Sequence, residues 1–236
     1  MARAVVLFTG GKDSVYALHA AVKEGYDVRV LATVIPHYKY SMLYHQPRFE
    51  ALLAQAQSTG IPLETIGLYE PQNEVGALRH LFKRTKGEYG VEAVVMGAVK
   101  SLFQLRAFRE AAESLGLKVY APIWGRDELD YMRGLLRGGV EFIIVSITSM
   151  GIPHSMLGKV FDETDLEKLS KLSEIYGFNL SFEGGEAETL VINAPLFKYR
   201  LVVHGRRVTL SEFEGYFDIE KVALVKKGTG QPVKPQ

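Results

Sequence analysis

The residues whose types and spacing best suit chemistry come early, in Thr9-Gly10-Gly11-Lys12-Asp13-Ser14, between an apolar run at 4–8 and an amphipathic stretch at 13–24. If the run is a parallel strand and the stretch a helix, the loop stands at the strand's carboxyl end. There the helix offers unpaired N–H groups and the positive end of its dipole to an anion. Gly10 and Gly11 have no Cβ to hold off a phosphate, Thr9 and Ser14 offer hydroxyls, and Lys12 adds a cation. The set suits a polyphosphate. Asp13 suits holding the loop or a Mg²⁺ ion. Lys12 is expected to be exposed, so that removing it would spare the fold. The spacing is neither G-x-x-x-x-G-K-[ST] nor G-x-G-x-x-G.

A second concentration of chemistry is Glu183-Gly184-Gly185-Glu186-Ala187-Glu188-Thr189, three carboxylates and two glycines between extended runs. Such carboxylates repel one another unless a cation, a donor or a substrate ammonium compensates them, which suits a binding loop. A solvated acidic turn accounts for the spacing equally well. Ser41, Tyr44 and His45 lie in a polar, aromatic segment after the second apolar run, where either substrate contacts or a plain surface loop fits. Gly97 and Ala98 end another run and leave room for a ribose or phosphate. Ser101, Gln104 and Arg106 open the following helix; Arg106 is as well explained as a solvated cation.

These residues need elements to position them. Apolar or β-branched runs at 4–8, 28–35, 63–68, 93–99 and 119–123 read as buried strands, and stretches at 13–24, 47–58, 75–85 and 101–115 as helices. Strict alternation makes βαβ units with right-handed crossovers, hence an α/β, doubly wound, mostly parallel sheet over residues 1–124. From 125 to 227 the pattern becomes a smaller α+β region. It has a helix at 128–136, a strand at 142–147, a helix at 163–176 between Asp162 and Gly177, extended segments at 189–193 and 199–204, and a hairpin about Gly205-Arg206-Arg207 leading to a strand at 207–210. The tail, 228–236, has little to bury and reads as disordered.

Composition limits the function. The 236 residues carry 28 Lys plus Arg against 27 Asp plus Glu, a net charge of +1, so no general field draws nucleic acid or a membrane surface. The absence of cysteine excludes disulfides, thiolate ligands and any mechanism that needs a Cys nucleophile or persulfide. The six histidines show no metal-ligand spacing, and no G-x-S-x-G elbow occurs. No apolar stretch reaches the roughly 20 residues of a spanning helix. The reading is a soluble, cytoplasmic protein; a homo-oligomer is compatible with it.

The early loop resembles the PP-loop of the N-type ATP pyrophosphatases, usually Ser-Gly-Gly-Lys-Asp-Ser, with Thr9 in place of the first Ser. Further pieces are similar to one family, the diphthine–ammonia ligases. They are Ser41-Met42-Leu43-Tyr44-His45, Gly97-Ala98, Ala121-Pro122-Ile123-Trp124, Gly158-Lys159-Val160-Phe161-Asp162, and the acidic block followed by Asn193-Ala194-Pro195-Leu196-Phe197. The resemblance spans nearly the whole chain, and the acidic block is its distinctive part. Ala187 departs from the aromatic residue many relatives carry. The resemblance implies an adenine nucleotide alpha hydrolase-like fold and ATP-dependent amidation of diphthine on translation elongation factor 2. ATP would give an acyl adenylate, and ammonia would displace AMP. It further implies that Thr9, Gly10, Gly11, Lys12, Asp13 and Ser14 hold the phosphates and Mg²⁺, with Asp13 on the metal, and that Ala32, Thr33 and Gly97 seat adenosine. Glu183, Gly184, Gly185, Glu186, Glu188 and Thr189 would line the acceptor side, where Glu186 and Glu188 join Lys12 and Asp13 in catalysis. Ser41, Tyr44 and His45 would close over the modified side chain; from their place on the helix after the fourth strand, apart from the resemblance, Gln104 and Arg106 are candidates to face the same crevice.

Two other readings start from the same loop. One is a PP-loop enzyme that adenylates a tRNA base; such enzymes usually carry an added basic RNA-binding module, and a net charge of +1 with no such module favours this reading less. A nucleotide sensor would bind ATP and leave it intact.

Overall fold

The continuous apolar run Ala4, Val5 and Val6 is fully buried on alternate parities, as a central strand covered on both faces must be. The computed structural model describes residues 1–37, 49–70, 73–99 and 102–233, with only the backbone of Phe103 and Gln104. Ser41, Tyr44, His45 and Ser101 therefore lie outside the described residues. Two compact units are present: Met1–Thr9 with Asp13–Trp124, and Gly10–Lys12 with Gly125–Gln236.

In the first unit, β1 (Arg3–Leu7), β2 (Asp27–Pro36), β3 (Leu63–Leu68), β4 (Ala93–Val95) and β5 (Lys118–Tyr120) form a wholly parallel sheet in the order β3-β2-β1-β4-β5. The crossovers carry α1 (Lys12–Lys23), α2 (Phe49–Thr59), α3 (Glu74–Tyr89) and α4 (Leu102–Glu113). The expected doubly wound α/β sheet is thus the observed one. Val5, Val30 and Val94 pack with Leu78, Leu81 and Phe82 of α3, while Val6 and Leu31, of opposite parity, are equally buried. The run at 93–99 is a strand only to Val95, and the run at 119–123 only to Tyr120.

In the second unit, β6 (Glu141–Ile147), β7 (Ala187–Asn193), β8 (Tyr199–Thr209) and β9 (Gly215–Lys226) form an antiparallel sheet in the order β7-β6-β9-β8, accompanied by α5 (Glu128–Arg137) and α6 (Glu163–Tyr176). One expectation is corrected here, and one strand is added. Gly205 is not a hairpin turn: β8 runs through it with a register irregularity between His204 and Gly205, and the reversal comes later, where the Leu210 N–H donates to the Glu214 carbonyl. A bulge and a turn draw on the same residue types, which is why the sequence confuses them. The strand that completes this hairpin, β9, was not expected.

Both ends of α6 match the sequence. Asp162 caps it, accepting from the Asp165 N–H at 2.9 Å while the Asp165 carboxylate accepts from the Asp162 N–H at 3.2 Å. Lys159 Nζ bonds both Asp165 oxygens at 2.8 Å, so the Gly158-Lys159-Val160-Phe161-Asp162 segment serves helix initiation. The Asp165 N–H holds the Asp162 carboxyl below its ordinary value, with Lys159 assisting. A carboxyl depressed in the folded state stabilises above its unfolded pKa, and that stabilisation is lost as pH falls through the lower, folded value. Asp162→Ala should cost about 1 kcal/mol at neutral pH. Urea midpoints of variant and wild type should draw together as pH falls through the depressed folded-state value of Asp162.

Candidate functional site

The site is built on β1. In this strand order the chain leaves β1 toward β2 on one side and returns to β4 on the other, so the crevice of the sheet opens at the carboxyl ends of β1 and β4. Thr9–Ser14 occupies that point. Gly10 has φ of 77°, a left-handed conformation that glycine adopts without steric cost, and it turns the chain from β1 into α1. Thr9 Oγ1 and Ser14 Oγ stand 3.4 Å apart across the loop. Gly97 lies directly against it: a Cβ there would fall 2.6 Å from the Asp13 carbonyl carbon and oxygen and 2.9 Å from the Ser14 nitrogen. The room expected above Gly97 for a ribose or phosphate is therefore filled, on its side-chain side, by the first turn of α1.

Lys12 departs from expectation. It opens α1 but is only 2% exposed. Its backbone N–H donates to Thr189 Oγ1 at 3.1 Å, and its Nζ donates to the Ser181 carbonyl at 2.6 Å. The ammonium also stands 5.3 Å from the ring centroid of Phe182. The Gly10 carbonyl accepts from the Val191 N–H of β7 at 3.0 Å. These contacts go with the placement of Gly10–Lys12 in the second unit, and the two hydrogen-bond partners of Lys12 lie 169 and 177 residues further along the chain.

The acidic block is equally organised. Glu186 Oε1 accepts from the Asn179 N–H at 2.9 Å and from Asn179 Nδ2 at 2.6 Å, and Oε2 accepts from the Gly184 N–H at 2.8 Å. Thr148, just after β6, donates its N–H to the Glu186 carbonyl and its hydroxyl to that of Gly185. The Glu186 carboxylate thus shapes the loop by accepting local donors. Glu188 lies in β7 opposite Ser146, and strand alternation turns its side chain to the face opposite Thr189. Glu183 is half-buried beside exposed Gly184. In Glu186→Gln an amide NH₂ would confront N–H donors where an oxygen accepts now. Amide exchange over residues 179–185 should quicken, by about 1–3 kcal/mol in opening free energy, with ATP affinity retained.

Of the other expected residues, Ala32 and Thr33 are buried inside β2 and not at its end. The Ala32 carbonyl accepts from the Phe8 N–H, and Leu7↔Ala32 is the last β1–β2 pair, so Thr33 lies just past the end of that pairing. Arg106 is exposed on α4, and Gln104 lies on the same helix. The sequence reading missed Ser181, Phe182, Asn179, Thr148 and Glu128, the last accepting from the Ser181 N–H at 3.0 Å. None carries a local signal. Among the described residues no group of three His, Cys, Asp or Glu could hold a metal, and no helix is long and apolar enough to cross a membrane.

Fold and loop together define an α/β protein with a glycine loop between its central strand and the first helix. Residues 2–119 match the family described as diphthamide synthase N-terminal domain, and residues 127–225 the diphthamide synthase C-terminal domain. The diphthine–ammonia ligase of Rattus norvegicus is 28% identical over 242 residues, covering 94% of this chain and 90% of its own. That of Danio rerio is 28% identical over 250 residues, covering 96% of each. A solved structure described as a predicted subunit of tRNA methyltransferase from Methanocaldococcus jannaschii covers 82% of this chain and 100% of its own at 14% identity. Its TM-score of 0.40 is too low to bear on fold or function. The chain belongs to the diphthine–ammonia ligase family and is an enzyme, a ligase that forms a carbon–nitrogen bond.

Proposed function

We propose that the chain amidates diphthine on translation elongation factor 2 to diphthamide: the diphthine carboxylate attacks the α-phosphate of ATP, pyrophosphate leaves, and ammonia displaces AMP from the acyl adenylate. The observation that carries this reading is the bond between the Lys12 amide and Thr189. It joins Gly10–Lys12 of that loop to the acidic block that distinguishes the family, all within the second unit. In this reading Thr9, Gly10, Gly11, Lys12, Asp13 and Ser14 hold the β and γ phosphates, and Thr33 lies toward adenosine. Lys12 offsets the charge that develops on the leaving pyrophosphate. Glu183, Glu186 and Glu188 give the acceptor side the negative charge that attracts ammonium and the trimethylammonium group of diphthine. Glu186 does so while holding Gly184 and Asn179 in place.

The loop's donor set fits Mg²⁺ of one kind. Asp13 is its one carboxylate, and Mg²⁺ typically takes one or two carboxylates plus substrate phosphate oxygens. Asp13 would hold an ion that arrives with the nucleotide, and that ion would neutralise phosphate charge. The reading carries with it a cytoplasmic enzyme whose nitrogen donor is free ammonium, since the chain has no cysteine for a Cys-dependent glutaminase.

The test is product analysis with Mg-ATP and ammonium, with and without elongation factor 2 bearing diphthine, following that protein by mass spectrometry. AMP and carboxylate-to-amide conversion should appear together and only with all components. AMP without amidation would mean another acceptor, and ATP bound but intact would mean a sensor.

A further inference from the structure

Phe182 is the one non-glycine residue with a positive φ among the described residues, at 62°, and it is 5% exposed. An aromatic residue keeps that conformation only where its surroundings impose it. Its N–H donates to the Asn179 carbonyl at 2.9 Å and its own carbonyl accepts from the Gly185 N–H at 3.2 Å. The outcome of this turn is where the ring goes: one face looks toward the Lys12 ammonium at 5.3 Å, and the preceding carbonyl, of Ser181, takes that ammonium at 2.6 Å. Ser181 is fixed from behind by its N–H bond to Glu128 Oε2. A lysine has much rotamer freedom to lose, and a π face with a carbonyl oxygen limits it before any anion arrives.

We propose that Phe182 is a positioning residue for the phosphate step: its ring, with the Ser181 carbonyl held by Glu128, presets the Lys12 ammonium for the triphosphate. The proposal rests on the reading that Lys12 serves a nucleotide.

Phe182→Leu keeps apolar bulk and removes the π face, whereas Phe182→Tyr keeps both. With the full chain, Phe182→Leu should raise the KM for ATP or lower kcat for AMP formation about tenfold while the KM for ammonium stays unchanged, and Phe182→Tyr should restore wild-type values. The NMR resonances of the Lys12 ε-methylene, shifted by the ring in the wild type, should lose that shift in Phe182→Leu and keep it in Phe182→Tyr. Leu and Tyr variants with the same ATP kinetics, whether both wild-type or both equally slowed, would overturn the proposal, because bulk alone would then account for the residue. If Phe182→Leu does not fold, Glu128→Ala should show the same ATP-selective loss, and wild-type ATP kinetics there would overturn it. A wild type that forms no AMP with ATP, ammonium and diphthine-bearing factor would sink the functional reading itself, whereas wild-type turnover with an indifferent Phe182→Leu would sink the positioning role alone.

Discussion

Lys12→Met is expected to lower AMP formation by about 10²- to 10³-fold, the loss typical of removing one donor aimed at charge that develops in a transition state. Methionine matches the length and apolar stem of lysine, so the buried space stays filled. Alanine would add a second effect. Shortening the buried side chain leaves a hole, whereas either substitution takes the donor from the buried Ser181 carbonyl, which accepts from Lys12 Nζ at 2.6 Å, at a cost of about 1–3 kcal/mol. A Lys12→Met variant that stays folded, its melting temperature lowered by no more than that lost bond accounts for, with AMP release nearly gone, separates the chemical loss from the structural one. Undiminished AMP release would remove Lys12 from the phosphate step.

Gly97→Ala should be the most damaging single-methyl change in the first unit. The added Cβ would meet backbone atoms of Asp13 and Ser14 at 2.6 to 2.9 Å, and backbone cannot swing aside as a side-chain tip can. We expect about 3 kcal/mol of destabilisation and loss of ATP binding, because the atoms displaced are those of the loop. Gly87→Ala is the control. Gly87 lies within α3, a Cβ there meets nothing within 4 Å, and the change should stabilise by up to about 1 kcal/mol through helix propensity. Urea midpoints and calorimetric titration with ATP read both variants. ATP affinity equal to wild type in Gly97→Ala would show that the strand end and the loop move independently.

What the sequence made legible was local. The caps of α6, Asp162 and Gly177, act on their own helix, and the β-branched runs of β1 and β2 declare buried parallel strands without reference to partners. The loop at Thr9–Ser14 was legible because glycine, hydroxyl and lysine are placed in order by the chain itself. What was not legible depends on distant pairing. Gly205 has the composition of a turn and acts as a bulge only because β9 pairs across it. The burial of Lys12 rests on Ser181 and Thr189, and no local pattern announces contacts at that separation. Glu186 stood out in the sequence as a candidate carboxylate, but its three local donors come from a turn whose geometry spacing does not specify.

In the proposed reaction ATP activates the diphthine carboxylate by adenylation at the Thr9–Ser14 loop. Elongation factor 2 labelled with ¹⁸O in that carboxylate tests it most directly, with the oxygen's destination read by mass spectrometry after one turnover with ATP and ammonium. Adenylation predicts one labelled oxygen in the phosphate of AMP and none in pyrophosphate. Label in inorganic phosphate with ADP as the co-product would mean activation through the γ-phosphate and would rule adenylation out.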